Sequence, residues 1–125
     1  MSLNKNMRVM IVDDYTTMLR ILRNLLRQLE IANVDEANDA ETAFAAMQRQ
    51  APDLIISDWN MVPMTGLDLL RKVRADGKLR HIPFIMVTAE SKTENVIAAK
   101  QAGVSNYIVK PFNAETLRAK IVSVC

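Results

Sequence analysis

The chain has 125 residues, enough for one domain around one core, and half of them are hydrophobic while 24% are charged. Its net charge is +2 and its pI about 8.8, without a basic tail, a Lys/Arg run or a nucleic-acid-binding motif. No apolar run approaches the ~20 residues that span a bilayer, residues 1–6 lack the apolar stretch of a secretory signal, and Cys125, the single cysteine, cannot form an internal disulfide. The expectation is a single domain over residues 1–125, monomeric and cytoplasmic, with no output domain and no nucleic-acid or membrane partner.

Arg8 to Val12 is a short apolar run of the kind that forms a buried parallel strand. In the helix that follows, Met18, Leu22, Leu25 and Leu29 share a face, with Ile21 and Leu26 beside it. Arg20, Arg23 and Arg27 share another, which reads as a solvated face or, more sharply, as a contact for an acidic partner. Asn33 to Ala37 predicts a second strand, and Asp39 caps a helix marked by Ala40, Ala43, Phe44 and Met47. Pro52 introduces a third strand, Asp53 to Ser57. Thr65-Gly66-Leu67-Asp68 is a capping box that opens a third helix, with Leu67, Leu70 and Val73 inward and the turn Asp76-Gly77 at its end. Pro83 to Thr88 is a fourth strand, Ser91-Lys92-Thr93-Glu94 a second capping box, and Gly103 the closing residue of a fourth helix. Ser105 to Val109 is a fifth strand, and Leu117, Ile121 and Val124 line a last helix.

Five apolar strands alternating with amphipathic helices predict an α/β fold: a doubly wound, flavodoxin-like three-layer sandwich around a parallel five-stranded sheet in the order 2-1-3-4-5. Such a sheet takes its ligand at the carboxyl ends of its strands, where the order reverses between the first and the third. At those ends stand Asp13 and Asp14, Asp58, Thr88 and Lys110. One Asp after a strand is ordinarily a turn residue or a helix cap; the whole set at one sheet edge is a site. Each pair of like charges ~4 Å apart costs roughly 4 kcal/mol at an effective dielectric of ~20, so protons or cations must relieve the crowding. A hard divalent ion held by oxygen ligands, Mg²⁺ foremost, does so naturally. Lys110 adds a further positive charge, and the site suits an incoming dianion.

The segments Val12-Asp13-Asp14, Ser57-Asp58-Trp59-Asn60-Met61, Val87-Thr88-Ala89-Glu90 and Val109-Lys110-Pro111-Phe112 resemble the signature of response-regulator receiver domains, over a span from about Met7 to Val124. Residues 56–61 and 97–103 are similar in particular to the chemotaxis branch, the CheY type. The resemblance implies that Asp58 is the phosphoacceptor for a histidine kinase (CheA-like). Asp14 and Asp58 would ligate Mg²⁺, Asn60 would give it a backbone carbonyl, and Asp13 would hold a metal-bound water. Lys110 and Thr88 would contact the phosphoryl oxygens, Ala89 would leave room for the donor, and Lys110-Pro111 would be a cis peptide. Thr88 and Tyr107 would form the switch; a half-buried tyrosine with its hydroxyl in water is the plainer reading of Tyr107.

The implied function is a stand-alone regulator whose output runs through the fourth helix, fifth strand and fifth helix, with Lys92, Val96, Tyr107 and Lys120 as the partner surface. A flagellar motor switch protein (FliM-like) is the expected target, and the chain is expected to catalyse only its own phosphorylation and slow dephosphorylation. A phosphate sink, or a cell-cycle or stress regulator without a motor target, is an alternative within the family. An aspartyl-nucleophile phosphatase is another outside it, although the position where that chemistry wants a second Asp holds Asn60. One departure stands out: family members usually carry proline directly after the methionine that follows the acceptor segment, whereas here Val62 intervenes between Met61 and Pro63, and Thr65 stands where an acid is common. Mg²⁺ binding is expected to persist with altered affinity.

Overall fold

A computed structural model describes residues 3–89 and 93–125. Ser91 and Lys92, half of the second expected capping box, lie outside the described residues, as does Glu90. Strands and helices alternate: β1 (Val9–Val12), α1 (Thr16–Gln28), β2 (Val34–Ala37), α2 (Ala40–Arg49), β3 (Leu54–Asp58), α3 (Gly66–Ala75), β4 (Phe84–Thr88), α4 (Thr93–Gln101), β5 (Asn106–Val109) and α5 (Ala114–Val124). All pairings are parallel and the order is β2-β1-β3-β4-β5, the flavodoxin-like arrangement. Among the described residues no helix is long and apolar enough to cross a membrane.

The three central strands are buried along their whole length, which is why they read as unbroken apolar runs. The edge strands β2 and β5 are each only partly buried and carry exposed positions. Successive side chains on a strand point to opposite faces, and each face has its own core. Met10, Val12, Ile55, Phe84 and Met86 pack with α2 and α3 residues such as Met47, Leu69 and Leu70. Val9, Ile11, Leu54, Ile56, Ile85 and Val87 pack with Leu22 and Leu26 of α1 and Leu117 and Ile121 of α5. Three layers result.

The inner faces of α2 (Ala40, Ala43, Met47) and α5 (Leu117, Ile121) are the expected ones, whereas those of α1 and α3 differ. In α1 the buried stripe is Leu19, Leu22 and Leu26; Met18, Leu25 and Leu29 flank it, and Ile21 is exposed. The helix is turned by about 60° from the expected arc, because its apolar side chains spread over about 160° of the circumference. Periodicity leaves two adjacent arcs nearly equal, and contact with the sheet decides. In α3 Leu69 joins Leu70 and Val73 inside, while Leu67 is only half-buried. Strand starts move by one residue, with β3 running on through Asp58.

The local stop and start signals act as expected. Asp39 accepts from the Thr42 N–H at 2.7 Å and from its hydroxyl at 2.9 Å, and these bonds hold its carboxyl below the usual range. Thr65 and Asp68 form the reciprocal box at 3.2 and 3.1 Å. Gly103 ends α4 with φ +94°, a conformation glycine adopts without strain. The half-buried Arg74 ties this turn to α3, donating to the carbonyls of Gly103 at 2.8 Å and Ile82 at 2.7 Å. The peptides Lys110-Pro111 and Val62-Pro63 are both cis. Leu69→Ala should lower the free energy of urea unfolding by about 2–5 kcal/mol, and Leu67→Ala by less than half of that; equal losses would show that the inner face of α3 is not the one described.

Candidate functional site

Among the described residues the buried polar and charged side chains are Asp13, Ser57, Asp58 and Thr88, and all four stand at the carboxyl edge of the sheet. The topology brings them there. β1 and β3 are neighbours with Val12 opposite Ser57, so Asp13 follows one strand directly beside Asp58, which ends the other. Thr88 ends β4, and its carbonyl accepts the N–H of Lys110, the first residue after β5, at 2.8 Å. The Trp59 N–H donates to the Val87 carbonyl at 2.9 Å, which holds the chain beyond Asp58 against β4.

One carboxylate oxygen each from Asp13, Asp14 and Asp58 lies within 4.8 Å of the others. At that spacing each ionised pair repels by about 3 kcal/mol at an effective dielectric of ~20. The Lys110 ammonium approaches Asp58 Oδ1 to 2.8 Å, a charge contact off the directions of a hydrogen bond, so Oδ1 remains without one. Asp13 Oδ1 accepts the Tyr15 N–H at 3.0 Å, while its Oδ2 is buried without a hydrogen-bond partner. Burial pushes the Asp13 carboxyl up to about 6, with the Asp58 and Asp14 charges adding to the rise and the Tyr15 N–H and Lys110 opposing it.

The chemistry of this donor set fits a hard divalent cation. Among the described residues every donor is an oxygen, two buried carboxylate oxygens lack hydrogen bonds, and three acids face the Lys110 ammonium. Asp14 is exposed, so an ion can enter from solvent. Asn60 is exposed in the loop between β3 and α3, which the Gly66 N–H closes by donating to the Trp59 carbonyl at 2.9 Å. Ala89 follows Thr88 and is exposed.

Thr88 also faces a crevice that it shares with Trp59, Met86, Asn95, Val96, Ala99 and Tyr107. The half-buried Tyr107 ring packs against the core there, and the Lys120 ammonium sits 5.3 Å from its centre. Val96, Tyr107 and Lys120 are thus brought together, whereas Lys92 is outside the described residues. Of the arginines on α1, Arg23 is tied to the sheet edge by Glu36 Oε2 at 3.1 Å and the Val34 carbonyl at 3.2 Å, so this face is no uniform basic stripe. Sequence reasoning missed Ser57, whose hydroxyl donates to the Asp58 carbonyl at 3.0 Å; its signal was a hydroxyl inside an otherwise apolar strand.

The family model for the response regulator receiver domain matches residues 9–122. The chemotaxis protein CheY-3 of Vibrio cholerae serotype O1 is 52% identical over 119 residues, covering 95% of this chain and 92% of that protein. The chemotaxis protein CheY of Pseudomonas aeruginosa is 52% identical over 115 residues, covering 92% and 93%. Among solved structures, the chemotaxis protein CheY4 of Vibrio cholerae superposes with a TM-score of 0.90 at 32% identity, over 96% of this chain and 99% of that one.

The raised Asp13 carboxyl fixes a sign for the metal-free protein. The folded state keeps this proton up to about pH 6, and an unfolded chain keeps it only to about 3.8. The penalty is therefore absent below about pH 4, grows as pH rises, and is complete above about pH 6, where it reaches about 3 kcal/mol. Asp13→Asn should remove it: in chelator-containing buffer the variant's urea midpoint gains on the wild type's between pH 4 and 6. A constant difference across that window would contradict the assignment.

Proposed function

Because the chain belongs to the response regulator receiver domain family, we propose that it is a phosphorylation-dependent switch that takes a phosphoryl group from a histidine kinase onto Asp58 with Mg²⁺ present. The observation that carries this reading is the Asp58 carboxylate at the reversal point of the sheet, with Lys110 at 2.8 Å and two more acids within 4.8 Å. An Asp58 oxygen attacks the phosphorus of the donor's phosphohistidine. The P–N bond breaks, the imidazole takes up a proton as it leaves, and an aspartyl phosphate forms. Water later attacks the same phosphorus and releases inorganic phosphate, which restores the carboxylate.

This transfer needs alignment and charge neutralisation more than bond-making help from the protein. The Lys110 ammonium neutralises phosphoryl oxygens, the Thr88 hydroxyl donates to one of them, and the small Ala89 side chain leaves the approach open. Asp14, Asp58 and the Asn60 carbonyl would hold Mg²⁺, with Asp13 reaching it through water. The ion supplies positive charge beside the acids and the incoming group. With Asn60 two positions after Asp58, no carboxyl is placed there as a general acid, and the chain is proposed to catalyse only its own phosphorylation and slow dephosphorylation.

Output follows from the crevice. A dianion on Asp58 draws Thr88 toward it, and Tyr107 repacks into the space beside Trp59, Met86 and Val96. The surface of Val96, Tyr107 and Lys120 changes shape and recruits a partner. The two chemotaxis relatives support a chemotaxis role, and a flagellar motor switch protein is the proposed target, with a CheA-like kinase as donor.

Intact-mass measurement after acetyl phosphate and Mg²⁺ should show one added phosphoryl group on the wild type and none on Asp58→Asn. Retained labelling in the variant would remove Asp58 from this role. Asp14→Ala should raise the Mg²⁺ concentration that half-quenches Trp59 fluorescence by about tenfold, in keeping with the loss of one charged ligand; an unchanged titration would count against a metal held by Asp14.

A further inference from the structure

Gly66 opens α3 and is buried. Backbone conformation does not explain a glycine here, since among the described glycines only Gly103 has a positive φ. Contact does. A Cβ at position 66 would fall inside the van der Waals envelope of the Asp58 carbonyl oxygen, 3.0 Å from its carbonyl carbon and 2.8 Å from Met86 Sδ. The sulfur ends a flexible side chain and can swing aside. The Asp58 carbonyl cannot. Its strand is paired on both sides, Asp58 itself lies opposite Val87, and the carbonyl accepts the Ser57 hydroxyl at 3.0 Å. The other party is equally constrained: the Gly66 N–H donates to the Trp59 carbonyl at 2.9 Å, and the Thr65–Asp68 box locks the first turn of α3. A side chain at 66 must therefore displace either the main chain of Asp58 or the end of the loop that carries Asn60.

We propose that Gly66 is a positioning residue of the phosphoryl site: the start of α3 rests directly on the Asp58 carbonyl and, with the Ser57 hydroxyl, sets where the Asp58 carboxylate stands against Asp13, Asp14 and Lys110. This rests on the reading of Asp58 as phosphoacceptor.

The test compares wild type with Gly66→Ala, Gly66→Ala/Met86→Ala, Leu26→Ala and Ser57→Ala. Each is followed by labelling rate with acetyl phosphate and Mg²⁺, Mg²⁺ titration of Trp59 fluorescence, and urea unfolding. Displacement of a reacting group by a fraction of an ångström predicts roughly tenfold slower labelling in Gly66→Ala, toward a hundredfold for a full ångström, with weaker Mg²⁺ binding. The double variant should stay slow, because removing the Met86 side chain does not free the carbonyl. Leu26→Ala, in the core on the opposite face of the sheet, should lose stability yet label at the wild-type rate. Labelling of Gly66→Ala as fast as Leu26→Ala would overturn the proposal, as would full recovery in the double variant. If Gly66→Ala does not unfold cooperatively, Ser57→Ala decides: slower labelling and weaker Mg²⁺ binding support a held carbonyl, and wild-type behaviour in both overturns it. A wild type that never labels defeats the phosphoacceptor reading itself, which is a different failure.

Discussion

Among the described residues three carboxylates crowd the carboxyl edge of the sheet against the Lys110 ammonium, and the remainder of the fold is arranged around that unfavourable charge. Asp13 shows the cost most directly: one of its oxygens is buried without a hydrogen bond, and burial together with neighbouring charge makes it hold its proton up to about pH 6. Two apolar layers offset this cost. Every side chain of β1, β3 and β4 below the site is buried, and the two cores grip the sheet from both faces. A site held this firmly cannot relax by letting the acids drift apart, so it is relieved by a cation or a proton.

The same rigidity places the Asp58 main chain. Its strand lies between β1 and β4, Asp58 itself pairs with Val87 of β4, and its carbonyl is hydrogen-bonded by Ser57 and abutted by the start of α3. Only its side chain has room to respond to an incoming group. Beyond it lies a crevice where Thr88, Val96 and Tyr107 meet, with Lys120 over the tyrosine ring. Rigid acceptor on one side and adaptable aromatic pocket on the other is the arrangement that the proposed switch requires: charge arrives where nothing can yield, and the movement is taken up where side chains can repack.

Apart from the strand order, which follows from the doubly wound alternation, the central strands, the capping residues Asp39 and Thr65, and the edge positions of Asp13, Asp14, Asp58, Thr88 and Lys110 were legible in the sequence alone. Each rests on a short-range rule: an unbroken apolar run for a strand covered on both faces, a side-chain oxygen before a helix, a polar residue where an apolar run stops. The inner arc of α1, the burial of Leu69 in place of Leu67, and the supports of Asp58 were not legible. Ser57 and Gly66 lie one and eight positions from Asp58, and nothing in their spacing reveals that both meet its carbonyl.

Amino-acid order by itself determined which chemical groups reach the sheet edge, because the end of an apolar run marks the end of a strand whatever the strand packs against. Tertiary structure decided how near those groups come, which oxygens go without a partner, which side of each helix faces inward, and why position 66 admits no side chain. Those are properties of surfaces pressed together from distant segments, and their energies depend on distances and burial that periodicity does not encode.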